Sequence, residues 1–485
     1  MSMPRLVSSA LALALLVISV PLCATEDIAA ELAELKARLA QIEATANSAA
    51  ASVSSATFNA GDNAWVLLSA ILVLFMIIPG LALFYGGLVR KRNVLGTMMQ
   101  SLAITAVVSV LWAVCGFGLT FSGGSPFIGT DPMWFLQGVA WGSGGVPGPN
   151  ADYAASIPFG TFALFQLMFA AITPAVICGA YAERMSFRAM LMFSVGWLFL
   201  VYVPTAHMVW GKDGLLNWGF GATTTACFDF AGGTVVETAS GVSGLMCALF
   251  LGHRRNYLRE PMPPHNLAFA FTGACLLWVG WFGFNAGSAL SASGLATLAS
   301  INTQLAASAA TITWPLAEWI VRGKPTVLGA ISGAVAGLVA ITPACGFVTP
   351  GSALFIGAVG GVLCFVACAW LKMKLRYDDA LDVFGVHGVA GMWGTIATGL
   401  FFAAEAHPGL KVLNPGLYAS IVSGTHHPVT GQLIGVGIAA AVAGVGSTLV
   451  LALVKATIGL RISADHEQEG LDLTQHGEEA YNDRE

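Results

Sequence analysis

The stretch Asp229–Ser240, DFAGGTVVETAS, decides how this sequence must fold. Its glycines and β-branched residues begin a long apolar run, and Glu237 lies eight residues into that run. Burying a carboxylate among apolar side chains is costly, so an ionisable residue at this depth indicates a function. The stretch therefore predicts a buried helix that carries an acidic side chain in its interior.

The composition indicates an integral membrane protein. Of the 485 residues, 56% are hydrophobic and only 10% are charged. Soluble domains carry roughly 25% charged residues. The net charge of -5 gives no reason to expect nucleic acid as a partner. The 57 glycines are typical of membrane helices that pack closely.

Apolar runs long enough to cross a bilayer occur eleven times. They cover residues 63–87, 95–121, 157–181, 187–208, 230–252, 265–287, 298–320, 325–343, 351–372, 383–403 and 430–457. The sequence therefore predicts an all-α membrane protein with eleven transmembrane helices. The eleven predicted helices divide into two inverted five-helix halves plus a final helix. Inverted repeats of this kind are common in transporters.

The charges in the loops predict an orientation. The odd-numbered loops are basic, and the even-numbered loops carry only Lys212 and Lys411. The basic residues of the odd loops are Arg90, Lys91, Arg92, Arg184, Arg188, Arg254, Arg255, Arg259, Arg322, Lys324, Lys372, Lys374 and Arg376. Cytoplasmic loops are rich in Lys and Arg. The mature N-terminus is therefore expected outside and the C-terminus in the cytoplasm.

The N-terminal residues before the first span form two segments. Residues 1–24 resemble a secretory signal peptide, with Arg5, an apolar core and small residues before a cleavage site after Ala24. An uncleaved first span remains the alternative. Residues 25–59 contain a heptad stripe over 28–42 followed by a linker. The stripe predicts either a short coiled coil or a single amphipathic helix on the membrane surface.

The fifth and tenth spans are counterparts in the two halves, and each carries one ionisable residue. Glu237 shares a helical face with Gly233 and Gly241. His387, in DVFGVHGVAGMWG, shares its face with two further glycines, Gly391 and Gly394. Glycine-lined faces let neighbouring helices approach closely, which favours a functional pair of Glu237 and His387. A purely structural polar pair is the alternative.

Several long motifs resemble the ammonium transporter (Amt/Mep/Rh) family, on its bacterial Amt side. They are FYGGLVRKRNVL, AHMVWG, DFAGGTVV, PHNLAFAFTGACLLWVGWFGFNAGSA, LGAISGAVAGLVAITPACG and DVFGVHGVAGMWG. The resemblance runs from about residue 60 to the C-terminus, with the membrane domain at 60–457. It implies a homotrimer in the bacterial cytoplasmic (inner) membrane, with a hydrophobic pore through each subunit.

The same resemblance implies roles for individual residues. Trp210, Ser288 and the aromatic Phe165 resemble an outer site that binds ammonium, and Asp229 resembles an aspartate that supports this site indirectly. Asp229 also lies where an N-cap of the fifth helix belongs. Phe169 and Phe284 resemble the pair of rings that closes the pore. A cation that loses water needs π faces and oxygen acceptors, which these residue types supply.

Glu237 is a departure from the family pattern. The residue after DFAGGTVV is usually the first of two pore histidines, and His387 matches the second. The sequence therefore predicts a glutamate–histidine pair that relays protons. Burial disfavours the charged form of each side chain, but a close pair can share a proton as one unit. The departure puts the family's usual pH dependence and selectivity in doubt here.

The acidic tail, residues 458–485, resembles the cytoplasmic segment on which PII-class signalling proteins dock, through EGLDLTQHGEEAY. An ammonium sensor that signals through such a partner is the alternative function. A gas channel of the Rh kind fits the motifs less well. The loops show no paired carboxylates, nucleophile or phosphate-binding pattern, and HxxxH and CxxC spacings are absent. We therefore expect no enzyme activity, no cofactor and no metal site.

Overall fold

The computed structural model describes residues 57–219 and 225–481, together with Lys36 and Arg38. The chain divides into two units, Met1–Ala56 and Thr57–Glu485. Lys36 and Arg38 are helical and exposed. The predicted signal peptide and nearly all of the predicted heptad segment lie outside the described residues.

Helices cover all eleven predicted apolar runs in the second unit. We number these helices, together with the shorter helices between and after them, in chain order. They are α1 (Ala60–Leu88), α2 (Lys91–Phe121), α3 (Phe159–Tyr181), α4 (Phe187–Trp210), α5 (Gly233–Leu251), α6 (Leu267–Gly287), α7 (Gly294–Arg322), α8 (Val327–Ile341), α9 (Pro350–Leu375), α10 (Phe384–Gly388 with Val389–Leu400), α11 (Pro408–Leu413), α12 (Pro415–Val422), α13 (Pro428–Thr457) and α14 (Ala464–Glu469).

Eight of these helices are long and apolar enough to cross a membrane: α1 to α6, α9 and α13. The predicted all-α membrane fold is confirmed at this level, and the number eleven stays a prediction. A short hairpin of β1 (Pro149–Asn150) and β2 (Ala154–Pro158) is the β-sheet that the described residues form. It lies in the long connection between α2 and α3.

Glycines bring helices α7 and α8 into close contact. A Cβ on Gly333 would lie 2.6 Å from the carbonyl oxygen of Ala310, and one on Gly337 would lie 2.5 Å from that of Ala306. Small residues at such positions allow backbones to touch where side chains would separate them. Most residues of α8 are consequently buried, although it has only 15 residues.

Several helix ends are fixed by polar caps. The side chains of Asn59, Ser186, Asn266 and Thr326 each accept a hydrogen bond from a backbone N–H in the first turn of α1, α4, α6 and α8. Such caps satisfy donors that have no partner within the helix. They explain why the observed helices begin close to the predicted boundaries.

Ion pairs connect four loops at the end of the bundle where the basic loops lie. Glu183 contacts Arg90 at 3.0 Å and Arg254 at 2.9 Å, and Arg254 also contacts Asp378 at 2.9 Å. These residues follow α1, α3, α5 and α9, so the network joins both halves of the chain.

The C-terminal tail packs against these same loops. Asp472 Oδ1 accepts a hydrogen bond from the backbone N–H of Gly96 at 2.7 Å, in the first turns of α2. The backbone N–H of Leu471 donates to Asn93 Oδ1 at 2.9 Å. Glu467 accepts from the backbone N–H of Arg255 at 2.7 Å and pairs with Arg461 at 2.6 Å. The tail is therefore attached to the first turns of α2 and to the loop before α6.

Candidate functional site

A cavity of about 170 Å³ lies at the bundle end opposite the ion-pair network. We call it the Trp210 cavity. Trp210 reaches it from the end of α4, Asp229 from just before α5 and Ser288 from just after α6. Phe169, from the middle of α3, forms part of its lining. Four of the predicted site residues therefore meet in one space.

Phe169 and Phe284 stack directly on each other behind this cavity. Their ring centroids are 4.3 Å apart with an interplanar angle of 24°, and both side chains are almost fully buried. Phe165 lies one helical turn from Phe169 and touches its ring edge-on at 5.0 Å. Trp210 lies nearly perpendicular to Phe169 at 5.8 Å. Four predicted aromatic side chains thus form one cluster that separates the cavity from the bundle interior.

Asp229 caps helix α5, as the sequence predicts. Its Oδ1 accepts from the backbone N–H groups of Gly232 and Gly233, and its Oδ2 accepts from those of Thr234 and Val235. The Trp210 indole N–H donates to the backbone carbonyl oxygen of Asp229 at 3.0 Å. The carboxylate is fully engaged, so Asp229 positions Trp210 and α5 through the backbone.

Ser288 keeps its acceptor capacity toward the cavity. Its hydroxyl donates to the carbonyl oxygen of Phe284 at 2.9 Å, one turn earlier. A serine oxygen that donates once still has lone pairs with which to accept. Ser288 can therefore accept a hydrogen bond from a cation in the Trp210 cavity.

Glu237 and His387 form a direct hydrogen-bonded pair. Glu237 Oε2 and His387 Nδ1 are 2.6 Å apart, and their side chains are 2% and 7% exposed. This distance is at the short end for a hydrogen bond between a nitrogen and an oxygen. The structure thus brings together two residues that are 150 positions apart in the chain.

The glycines predicted on the two faces allow this contact. A Cβ on Gly391 would lie 2.7 Å from Cβ of Glu237, and a Cβ on Gly241 would collide with the backbone of Gly388. Both ionisable residues also lie in π-helical segments, Gly233–Thr238 and Phe384–Gly388. Such segments widen a helix locally and are frequent at functional sites. The periodicity of the sequence did not reveal these two segments.

His387 connects the narrow interior to a second cavity. Glu237 and His387 both line a small space of about 10 Å³ beneath the aromatic cluster, walled by apolar side chains such as Trp281 and Leu277. His387 also lines a cavity of about 320 Å³ at the basic end, which we call the Lys372 cavity. The pair therefore lies between the aromatic cluster and the Lys372 cavity.

Most of the other side chains that line the Trp210 cavity were not predicted from the sequence, among them Gln166, Trp218 and His407. Gln166 and His407 line it and are buried, and Trp218 forms another wall. The Oε1 atom of Gln166 has no hydrogen-bond partner among the described residues. Gln166 lies beside Phe165 within FQLMF, so its place on α3 was the available signal. Trp218 and His407 come from connecting loops whose path the sequence does not indicate.

The arrangement suits passage of a small polar solute rather than bond-making chemistry. It combines neutral acceptors, aromatic rings and one hydrogen-bonded pair of ionisable side chains between two cavities. Over residues 57–219 and 225–481, His, Cys, Asp and Glu form no group of three that could hold a metal ion.

Comparisons with known proteins place the chain in a family. Residues 64–481 match the model of the Ammonium Transporter Family. The chain is 44% identical over 423 residues to an ammonium transporter of Bacillus subtilis, covering 87% of this chain and 99% of that protein. It is 34% identical to the crystal structure of Saccharomyces cerevisiae Mep2, with a TM-score of 0.73 over 84% of this chain and 91% of that one. A structure named Sensor Amt Protein is 28% identical, with a TM-score of 0.73 over 86% of this chain and 98% of that one. The match spans both cavities, the aromatic cluster and the Glu237–His387 pair, and the chain therefore belongs to the ammonium transporter family.

Proposed function

We propose that this protein transports ammonium across the bacterial cytoplasmic membrane. The main observation in support is the hydrogen bond of 2.6 Å between Glu237 and His387. This pair lies between the two cavities, behind the closed aromatic cluster. Neither an open water-filled channel nor a sealed structural core needs a proton-exchanging pair at this position. Family membership and the names of the relatives support ammonium as the solute.

Ammonium binds first in the Trp210 cavity in this proposal. The ring of Trp210 attracts the cation, and Ser288 accepts one of its N–H groups. The contacts are too weak to hold the ion permanently because neither residue carries a charge. The stacked rings of Phe169 and Phe284 block the hydrated cation. These rings must therefore move apart before the solute can move inward.

Deprotonation near these rings gives neutral ammonia, which passes the apolar interior. The proton either returns to the Trp210 cavity or is relayed through Glu237 and His387 to the Lys372 cavity. A carboxyl and an imidazole at 2.6 Å can exchange a proton without separating two charges in the interior. The Glu–His pair thereby replaces the two histidines expected from the family motif.

Eleven membrane spans in two inverted halves remain part of the proposal. Counterpart helices α4 and α9 both contain a π-helical segment, as do α5 and α10, which supports the repeat. The basic residues around the Lys372 cavity support its cytoplasmic position. The N-terminus then lies outside after removal of residues 1–24. A cysteine placed at Thr25 should react with an impermeant reagent added outside, and reaction from the cytoplasm alone would contradict the orientation.

The protein is also proposed to be a homotrimer in the lipid bilayer. Exposed apolar residues on the membrane helices, such as Ile71, Val110 and Ile312, need lipid or another subunit around them. The heptad stripe at 28–42 would then form a short three-stranded bundle, helped by high local concentration. Replacing Leu32 and Leu39 with Lys should weaken the trimer in detergent, and an unchanged trimer would leave a surface helix.

Ammonium-evoked current is the measurement that tests transport. Proteoliposomes on a supported membrane should give a saturable current after an ammonium pulse, with a dependence on pH set by the pair. Liposomes without protein are the control. Absence of any current together with absence of ammonia flux would contradict the proposed function.

A sensor that signals through a partner remains the second candidate. The likeness to the Sensor Amt Protein favours it. A dedicated sensor would bind ammonium in the Trp210 cavity yet show neither current nor flux. The same proteoliposome experiment therefore separates the two functions.

A further inference from the structure

His407 is a buried side chain that the proposed transport steps do not use. It lies in the loop between α10 and α11, lines the Trp210 cavity and is 8% exposed. Its ring stacks on Phe347 at 4.9 Å and lies nearly perpendicular to Trp218 at 5.0 Å. Phe230 approaches it at 6.1 Å. These three aromatic side chains also line the cavity, so the ring is held in a fixed aromatic corner.

One nitrogen of the His407 ring has no hydrogen-bond partner among the described residues. Burial lowers the pKa of His407 to about 4, so the imidazole is uncharged at neutral pH. The nitrogen without a partner is Nδ1. A neutral imidazole has one nitrogen that accepts and one that donates. A buried polar atom without a partner is uncommon and calls for one from outside the chain.

The surroundings favour a positively charged partner with N–H groups. Both carboxylates of the cavity are engaged: Asp229 by four backbone N–H groups and Asp152 by Lys212 at 2.7 Å. The acceptors that remain are neutral, namely Ser288 Oγ, Gln166 Oε1 and the His407 ring. Neutral acceptors beside aromatic rings bind a small ammonium-type cation without trapping it. An anion would be repelled by the lone pairs of the same acceptors.

We infer that the Trp210 cavity holds a second position for a small cation, formed by the ring of His407 with Trp218 and Phe230. This second position binds ammonium or a primary alkylammonium. It lies beside the first position, which Trp210 and Ser288 form. A water molecule occupies about 30 Å³ in the liquid, so a cavity of about 170 Å³ has room for both positions. The second position raises the occupancy of the cavity at low ammonium concentration. This inference rests on the proposed transport of ammonium.

The test compares saturation curves for ammonium-evoked current in proteoliposomes. His407→Phe keeps an aromatic ring and removes both nitrogens. It should raise the half-saturating ammonium concentration roughly tenfold, because the cation loses the binding free energy of one hydrogen bond to a charged group. The maximal current should not change. His407→Gln restores an acceptor and should recover part of this loss. His427→Phe is the matched control, because His427 is exposed and does not line the cavity.

The outcomes separate this inference from the proposed function. A half-saturating concentration unchanged in folded His407→Phe overturns the second position. So does a variant that loses only thermal stability or maximal current, since that is the result of a packing role. If His407→Phe does not fold, His407→Leu serves for the same comparison with the same criterion. A wild-type protein without any current or flux contradicts transport itself.

Discussion

Glu237 and His387 owe their contact to the local backbone as much as to their own chemistry. Each side chain lies in a π-helical segment, where the helix is wider and the register shifts by one residue. Glycines at the crossing of α5 and α10 remove the Cβ atoms that would hold the helices apart. An acidic partner for His387 can be accommodated because the bond satisfies a carboxylate that is only 2% exposed.

Replacing Glu237 with Gln tests whether the carboxyl exchanges protons. Gln keeps the shape and can hydrogen-bond to His387, but it does not titrate. Net ammonium-evoked current should fall at least about a hundredfold, the lower end of what one lost proton-transfer group produces. Uncharged ammonia should still pass, which ammonia flux measured by stopped-flow would show.

Glu237→His is the companion variant. It restores the pair of histidines expected from the family motif and should retain the current. Its pH profile should differ from that of the wild type because an imidazole replaces the carboxyl group. A Gln variant with wild-type current and wild-type pH dependence would mean that Glu237 is a structural polar residue.

At the scale of the element, the start of α5 is joined to the end of α4. Asp229 gives four acceptor contacts to the first turn of α5, and its carbonyl oxygen receives the indole N–H of Trp210. A change in the cap therefore moves both the helix that carries Glu237 and the ring that lines the cavity.

Asp229→Ala should therefore have two effects. Loss of the cap should lower the free energy of unfolding by about 1–3 kcal/mol, since four N–H groups lose their acceptor. The half-saturating ammonium concentration should rise as well, because the carboxylate no longer fixes the backbone whose carbonyl oxygen accepts from Trp210. Thermal unfolding and current saturation curves measure these effects.

Ser186→Ala is the matched control for the Asp229 variant. Ser186 caps α4 through the backbone N–H of Ala189 at 3.3 Å, far from the Trp210 cavity. It should lower stability without changing the half-saturating concentration. If Asp229→Ala also lowers only the stability, the aspartate caps the helix and has no effect on ammonium binding.

On the scale of the whole molecule, Glu183 joins three loops of the first half, and Arg254 connects them to Asp378 in the second half. Burial alone would raise the pKa of Glu183, but Arg254 and Arg90 outweigh it and hold that pKa at about 2. In the unfolded chain the pKa is about 4.3, so the ion pairs contribute about 3 kcal/mol above that pH. This stability is lost as the pH falls from about 4.3 toward 2.

Glu183→Gln should remove that acid dependence. The variant should be less stable than the wild type at pH 7 and lose less further stability on acidification over that interval. Unfolding midpoints in detergent at several pH values give the comparison, with exposed Glu260→Gln as the control. Parallel curves for wild type and Glu183→Gln would show that the network does not stabilise the fold.

The tail also acts at the scale of the molecule. Its contacts with Gly96, Asn93 and Arg255 hold the acidic tail against the basic end of the bundle. We expect a PII-class protein to bind there. Truncation after Arg461 should abolish that binding and leave the current largely intact. Undiminished capture of the partner by the truncated protein would contradict the prediction.

The sequence by itself determined the membrane class and the positions of the helices, and it singled out Glu237 and His387 as candidate functional residues. Apolar runs must be helical in lipid because no water is present to pair with the backbone, so length and hydrophobicity suffice to locate them. Glu237 and His387 stood out for the same reason, since ionisable residues are rare in such runs. Long motifs then supplied the family.

Only the tertiary structure decided which side chains share a space. His407 and Trp218 come from connecting loops, and no periodicity indicates where a loop returns to the bundle. The π-helical segments also escaped the sequence, because these runs are apolar on nearly every face and a shift of register leaves no visible change in such a pattern. The Glu237–His387 distance of 2.6 Å, the stacking of Phe169 on Phe284 and the corner around His407 depend on helix crossings. Helix crossings are set by packing between segments far apart in the chain, which local residue preferences do not encode.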